Sequence, residues 1–161
     1  MPTVELYKGR CFCGAVEVEV QGQPLAAAIC HCESCRHWHS APLNAWMVWP
    51  EDRVRVSAGH DALSVFNKQG PDGPSERTFC KHCGAAIMNR KPGYGMVVVY
   101  ATVLEGSGLE YMPSFHSFYG EGVMHIADGL PKYRDLPAAF GGSDTRLDEP
   151  ARTGMRAGLA A

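Results

Sequence analysis

Apolar and acidic residues alternate with period two over Ala15-Val16-Glu17-Val18-Glu19-Val20, the pattern of a strand with one buried face. Val54-Arg55-Val56 and Leu63-Ser64-Val65-Phe66 repeat it in shorter form, with Ala58-Gly59-His60-Asp61 as the turn between them. Arg77-Thr78-Phe79-Cys80 and Ala85-Ala86-Ile87-Met88 read as two more strands on either side of a turn. Met96 to Val103 is a continuous run rich in β-branched residues, which predicts a central strand buried on both faces. Met124-His125-Ile126 reads as a late short strand. Gly70-Pro71-Asp72-Gly73-Pro74 and Lys91-Pro92-Gly93-Tyr94-Gly95 are loops, because their residues favour turns and cannot continue a ladder. No amphipathic stretch long enough for a helix precedes residue 135. The predicted class is mainly β, with few or no long helices.

Composition narrows this picture. The chain has 161 residues, 45% of them hydrophobic and 20% charged, which suits one globular domain with a real core. From Gly141 the aromatics stop, so the domain is drawn over residues 1–140, with a mobile C-terminal tail over 141–161. A second subunit of a homo-oligomer is one surface on which such a tail would pack. The formal net charge is −2, and no basic patch marks a nucleic-acid partner. Met1 to Tyr7 contain Glu5 and no apolar core of signal-peptide length, and the longest apolar run is far too short to span a bilayer. The expected location is the cytoplasm, with no membrane partner.

Seven cysteines change the picture most. They form three groups: Cys11 and Cys13; Cys30, Cys32 and Cys35; Cys80 and Cys83. Neighbours this close rarely reach the geometry of an unstrained disulfide. They do converge readily on one Zn²⁺ at about 2.3 Å per sulfur. Residues i and i+2 of a strand share a face, so Cys11 and Cys13 can look the same way. In Cys80-Lys81-His82-Cys83-Gly84 the two sulfurs flank a tight turn, and Gly84 gives it the backbone freedom it needs. These two pairs make a complete four-sulfur site, closed and structural. The triplet is left over, and three sulfurs leave a coordination position for water or substrate. A thiol entering there would be held as thiolate. His31, His37 and His39 are the local candidates to close the triplet as a fourth ligand.

Arg36 directly follows the last sulfur, where a guanidinium would offset thiolate charge or grip a substrate carboxylate. Trp38, Trp46 and Trp49 read as core or pocket wall, and Phe115-His116-Ser117-Phe118-Tyr119 as a packed aromatic segment. No phosphate-cradling or dinucleotide-binding glycine motif occurs.

Taken in order, Gly9-Arg10-Cys11-Phe12-Cys13-Gly14-Ala15-Val16, Cys30-His31-Cys32-Glu33-Ser34-Cys35-Arg36, Phe79-Cys80-Lys81-His82-Cys83-Gly84 and Asp128-Gly129-Leu130-Pro131-Lys132-Tyr133 resemble the glutathione-dependent formaldehyde-activating enzyme and centromere protein V family. The likeness runs from about residue 5 to 137. It implies a β-tent-like fold of antiparallel sheets stabilised by zinc. It implies a structural zinc on Cys11, Cys13, Cys80 and Cys83 and a catalytic zinc on Cys30, Cys32 and Cys35. It also implies a carbon–sulfur lyase that joins formaldehyde to the small-molecule thiol glutathione.

The expected enzyme holds the substrate thiol at the triplet, with Arg36 on charge or carboxylate and His31 or His37 moving the proton of the adduct hydroxyl. Two rivals stand beside it. One is a non-catalytic, zinc-stabilised binding module, marked by a triplet closed by histidine. The other is a thiol-based redox or metal-buffering protein, marked by reversible oxidation of the triplet.

Overall fold

A computed structural model describes residues 4–147. They form ten strands and one α-helix, which makes the fold mainly β as the periodicity predicts. The strands are β1 (Leu6–Arg10), β2 (Glu17–Gln21), β3 (Ala26–Cys30), β4 (Asn44–Pro50), β5 (Val54–Ala58), β6 (Leu63–Phe66), β7 (Glu76–Cys80), β8 (Ala86–Lys91), β9 (Met96–Tyr100) and β10 (His116–Ser117). The helix, α1, spans Glu33–His39. No helix among the described residues is long and apolar enough to cross a membrane. The chain divides into two compact units. One takes residues up to Ala27 and Trp46–Tyr111; the other takes Ala28–Ala45 and the residues from Met112 on.

In the first unit β1 and β2 form an antiparallel hairpin with Leu6 opposite Gln21 and Arg10 opposite Glu17. β2 pairs on its other side with β5, Val20 opposite Val54. The β2 alternation holds for Val18 and Val20, which are fully buried. Glu19 departs from it, being covered although charged. Lys8 and Arg55 are its cross-strand neighbours, and both form ion pairs with its carboxylate, which lowers its pKa. β6, β7, β8 and β9 form a meander, and β9 also pairs with β4, Trp49 opposite Val97. Val16, Met47, Trp49, Ile87, Met88, Val97, Val99 and Leu104 are the heart of the core.

The apolar run predicted as one strand to Val103 stops pairing at Tyr100 and turns into a 3₁₀ segment, Ala101–Leu104. A glycine permits that turn to pack closely. A Cβ on Gly9 of β1 would lie 2.2 Å from the Val103 carbonyl oxygen.

In the second unit β10 pairs in parallel with the end of β3, His116 beside Ile29 and Ser117 beside Cys30. α1 begins at Cys32, whose sulfur accepts a hydrogen bond from the Cys35 N–H, and ends at Ser40 in the left-handed conformation. The helix escapes sequence reading because it has only seven residues and buries none of them fully. Met124–Ile126 is not a strand; the late strand is His116–Ser117 instead. The residues near 124 are spent on side-chain bonds, with the Ile126 N–H donating to the Tyr119 hydroxyl. Phe115 packs edge-on against Tyr133 at 5.8 Å between ring centres. Of the predicted tail, residues 141–147 run beside 132–135: the Arg134 N–H donates to Thr145 O and the Leu147 N–H to Lys132 O, each at 2.8 Å. Residues 148–161 lie outside the described residues.

Candidate metal centres and a buried histidine pair

Cys11 ends the region of β1, Cys80 ends β7, and Cys13 and Cys83 sit in the turns that follow. Both turns close on left-handed glycines, Gly14 and Gly84. The Gly84 N–H donates to Cys80 O and the Cys80 N–H to Ala85 O, so the chain folds tightly around the sulfurs. The Val16 N–H points at Cys11 Sγ at 3.3 Å. All four sulfurs lie within 4.8 Å of one another. Cys11 and Cys13 are 3.6 Å apart, Cys13 and Cys80 3.8 Å. Sulfurs at the corners of a zinc tetrahedron would be separated by about 3.8 Å, given a Zn–S bond of about 2.3 Å. A disulfide would need about 2.05 Å. The donor set and its spacing therefore fit a tetrahedral metal.

The second group is Cys30, Cys32 and Cys35, again within 4.8 Å of one another. Cys30 closes β3, Cys32 caps α1 and Cys35 lies in its first turn. Backbone N–H groups face two of the sulfurs, Cys35 N to Cys32 Sγ at 3.2 Å and Cys32 N to Cys30 Sγ at 3.5 Å. No histidine, aspartate or glutamate among the described residues joins either group of ligand atoms. His31, His37 and His39 therefore do not close the triplet in this geometry.

Crowded thiols resist ionising together without a cation. Cys32 and then Cys35, followed by burial, push the Cys30 thiol well up. At Cys13 the Ala15 N–H works downward, but burial and three neighbouring sulfurs carry the thiol up to about 11. Cys83, favoured first by the Ala85 N–H, is held down to about 6. A bound cation would remove the mutual repulsion and favour thiolate at every position.

The sequence candidates around the triplet occupy different surroundings. Arg36 donates from Nε to His31 O and from Nη2 to Glu121 O, both at 3.1 Å, so it ties α1 to the segment after β10. It also lines an open cleft of about 600 Å³ with His37, Ser40, Pro42, Val123 and Met124. His37 is exposed there. His31 has no exposed surface at all. Its Nε2 lies 2.9 Å from His116 Nδ1, and His116 Nε2 lies 2.8 Å from Asp128 Oδ2. Asp128 Oδ1 accepts from Lys132 Nζ at 3.2 Å and from the Leu130 N–H at 3.1 Å. The Tyr119 ring stands edge-on to both imidazoles, 4.7 Å and 5.4 Å away between centres.

Burial first, then the charges on His116, Lys132 and Arg36, hold His31 down to about 4, so its imidazole is neutral at pH 7. Burial works upward on Asp128, but hydrogen bonds from His116, Leu130 and Lys132 bring it down to about 2, and it is a carboxylate.

His116, Asp128 and Lys132 were not among the sequence candidates. His116 sits inside a segment whose aromatics suggest packing alone, and packing is what its neighbours Phe115 and Tyr119 do. The available signal was a histidine inside an aromatic segment, a position that needs a polar partner once buried.

Residues 6–121 match the family described as glutathione-dependent formaldehyde-activating enzyme. A Schizosaccharomyces pombe protein named as an uncharacterized lyase is 32% identical over 83 residues, covering 50% of this chain and 55% of its own. The chain thus spans about half the length of that relative. A crystal structure of a Rhodobacter sphaeroides protein, solved as a structural-genomics target, is 28% identical with a TM-score of 0.49, covering 62% of this chain and 88% of its own.

Proposed function

The chain belongs to the glutathione-dependent formaldehyde-activating enzyme family, and from that premise and its two cysteine clusters we propose a zinc-dependent carbon–sulfur lyase acting on a thiol adduct. S-(hydroxymethyl)glutathione, formed from glutathione and formaldehyde, is the leading substrate. The observation that carries this reading is the incomplete second donor set: three sulfurs and no fourth protein ligand among the described residues. A metal held by Cys30, Cys32 and Cys35 supplies a position where a thiol loses its proton. A metal held by Cys11, Cys13, Cys80 and Cys83 would have four protein donors and would serve the fold.

The rest falls to the chain's own residues. In the synthetic direction the carbon–sulfur bond forms at the carbonyl carbon, and the proton released by the thiol ends on the new hydroxyl oxygen. His37 is exposed on the cleft, and in this reading it would move that proton. His31 is fully buried and engaged by His116, which suits it to support and not to exchange with substrate. Arg36 presents positive charge in the cleft, where a glutathione carboxylate would find a charge-assisted bond. The cleft is open, and its volume of about 600 Å³ falls in the range of small-molecule sites. This reading places the protein in a reducing compartment, the cytoplasm, where its thiols stay available.

Metal content and a thiol titration test it. The wild-type chain should hold two metals. With Co²⁺ in the triplet, glutathione should raise the sulfur-to-metal charge-transfer absorbance, and Cys35→Ser should abolish the change. A spectrum indifferent to glutathione and to smaller thiols would support the binding-module alternative and refute the lyase.

A further inference from the structure

His31 lies between two sulfurs of the triplet, Cys30 and Cys32, and its ring is held from behind by a buried hydrogen-bonded chain. The direction of that chain follows from its far end. Asp128 is a carboxylate and can only accept. Lys132, 4% exposed, donates to one oxygen of that carboxylate, and His116 faces the other. His116 must then donate its Nε2–H to Asp128. Its Nδ1 is left as an acceptor, and it receives the Nε2–H of His31. The remaining ring atom, His31 Nδ1, is a lone pair. It is buried with no hydrogen-bond partner, facing Gly122, where a Cβ would come within 3.3 Å. A proton on that nitrogen would be a buried donor with nothing to bond, which is unfavourable. The empty side of the ring and its bonded side thus agree on one tautomer.

Resting on the two-metal reading above, we propose that Asp128 and His116 are positioning residues for the triplet. They lock the ring of His31 in one orientation and one tautomer, and so fix the backbone that carries Cys30 and Cys32. Two further contacts hold the same short stretch. The His31 N–H donates to Ser117 O beside β10, and His31 O accepts from Arg36 Nε. Only the ring, however, leads to a group that can set its orientation from a distance. Supporting partners of metal ligands typically change affinity by about 10–100-fold when replaced, and the chain from Asp128 to His31 belongs to that kind of support.

The decisive substitution is Asp128→Asn. An amide can turn its NH₂ toward His116 Nε2, which reverses every donor in the chain: His116 then carries its proton on Nδ1, and so does His31. Long-range ¹⁵N–¹H spectra of histidine-labelled protein read the tautomers directly, with His31 identified by its loss in His31→Gln. Wild type should show His31 protonated on Nε2, and Asp128→Asn should show it on Nδ1. Metal affinity of the triplet, read by competition with a chromophoric chelator, should fall about 10–100-fold in Asp128→Asn. The metal on Cys11, Cys13, Cys80 and Cys83 should stay.

His116→Gln separates positioning from mere packing. Its amide oxygen can accept from His31 while its NH₂ donates to Asp128, so it should keep near wild-type affinity, whereas His116→Leu should not. This pair also decides the matter should Asp128→Asn fail to fold. Wild-type His31 protonated on Nδ1, or equal triplet affinity in His116→Gln and His116→Leu, would overturn the proposal. If those spectra are as expected and the wild-type chain takes up only one metal, the two-metal reading falls, and the positioning role with it. Two metals in wild type with unchanged affinity in a folded Asp128→Asn sinks the positioning role alone.

Discussion

Replacing Cys80 by serine should damage the fold far more than replacing Cys32, and the structure says by how much. A metal shared by Cys13 and Cys80 would bridge positions 67 apart in the chain. By loop-closure entropy such a link is worth about 4.4 kcal/mol. Cys80 is also fully buried, so Cys80→Ser leaves a hydroxyl among crowded thiols in the core. The triplet spans only a short local segment, and the same relation gives about 2 kcal/mol at most. Serine at position 32 even keeps the helix cap, because its oxygen can accept the Cys35 N–H now taken by sulfur. At about 2–4 °C per kcal/mol for a chain of this size, Cys80→Ser should lower Tm by about 9–18 °C. Cys32→Ser should cost about half of that or less. The assay is thermal unfolding followed by circular dichroism, with zinc counted per chain before each scan. Both variants should have lost one metal. Equal Tm values for the two, or Cys80→Ser melting within about 3 °C of wild type, would refute the argument that one cluster staples the fold and the other does not.

Arg36→Gln should act twice. It removes the bonds to His31 O and Glu121 O, for about 1–3 kcal/mol and a lower Tm. It should also weaken binding of glutathione about tenfold or more relative to a thiol without a carboxylate, as isothermal titration would show; equal losses for both thiols would leave Arg36 a brace only. Burial raises the pKa of Tyr111, against the Trp46 backbone bond that works the other way, so the folded state keeps a proton that the unfolded chain releases above pH 10. Stability should therefore fall as pH rises past 10, and urea midpoints between pH 8 and 11 should fall less in Tyr111→Phe than in wild type; parallel profiles would show that Tyr111 ionises freely in the fold.

Much of this molecule is legible in its sequence where one rule acts alone. Val18 and Val20 alternate with polar neighbours and are core residues, because period two puts both on one face of the strand. The cysteine grouping is equally plain, since thiols at these spacings have few other uses. Legibility fails where two rules compete. Ala101 to Val103 are apolar enough to continue β9, yet the chain turns there because Gly9 offers a surface with no side chain. β3 is a short alanine-rich run and β4 is almost wholly apolar, so neither shows a period of two, and pairing with the remote strands β10 and β9 decides them. α1 is seven residues long and is held by its cap, its metal-spaced cysteines and Arg36 more than by an apolar face. Asp128, His116 and His31 are far apart in sequence, and no spacing rule brings them together.

The two clusters also differ in what must hold them when no metal is bound. Cys80 and Cys83 stand on a knuckle whose own backbone bonds fix the turn, but its approach to Cys11 and Cys13 leaves four thiols crowded in a fold that gains from bridging them. The triplet has no such reach. Its shape comes from α1, from the β3–β10 pairing and from the ring of His31. That arrangement would let the triplet exchange a bound metal or a fourth ligand without opening the core, as the proposed thiol chemistry requires. Rigidity that the first cluster would draw from a bound metal, the second must draw from protein, and a buried imidazole pair anchored on Asp128 and Lys132 is a way to provide it. A histidine pair serving only as core filling would instead be replaceable by leucine and phenylalanine with no change at the sulfurs.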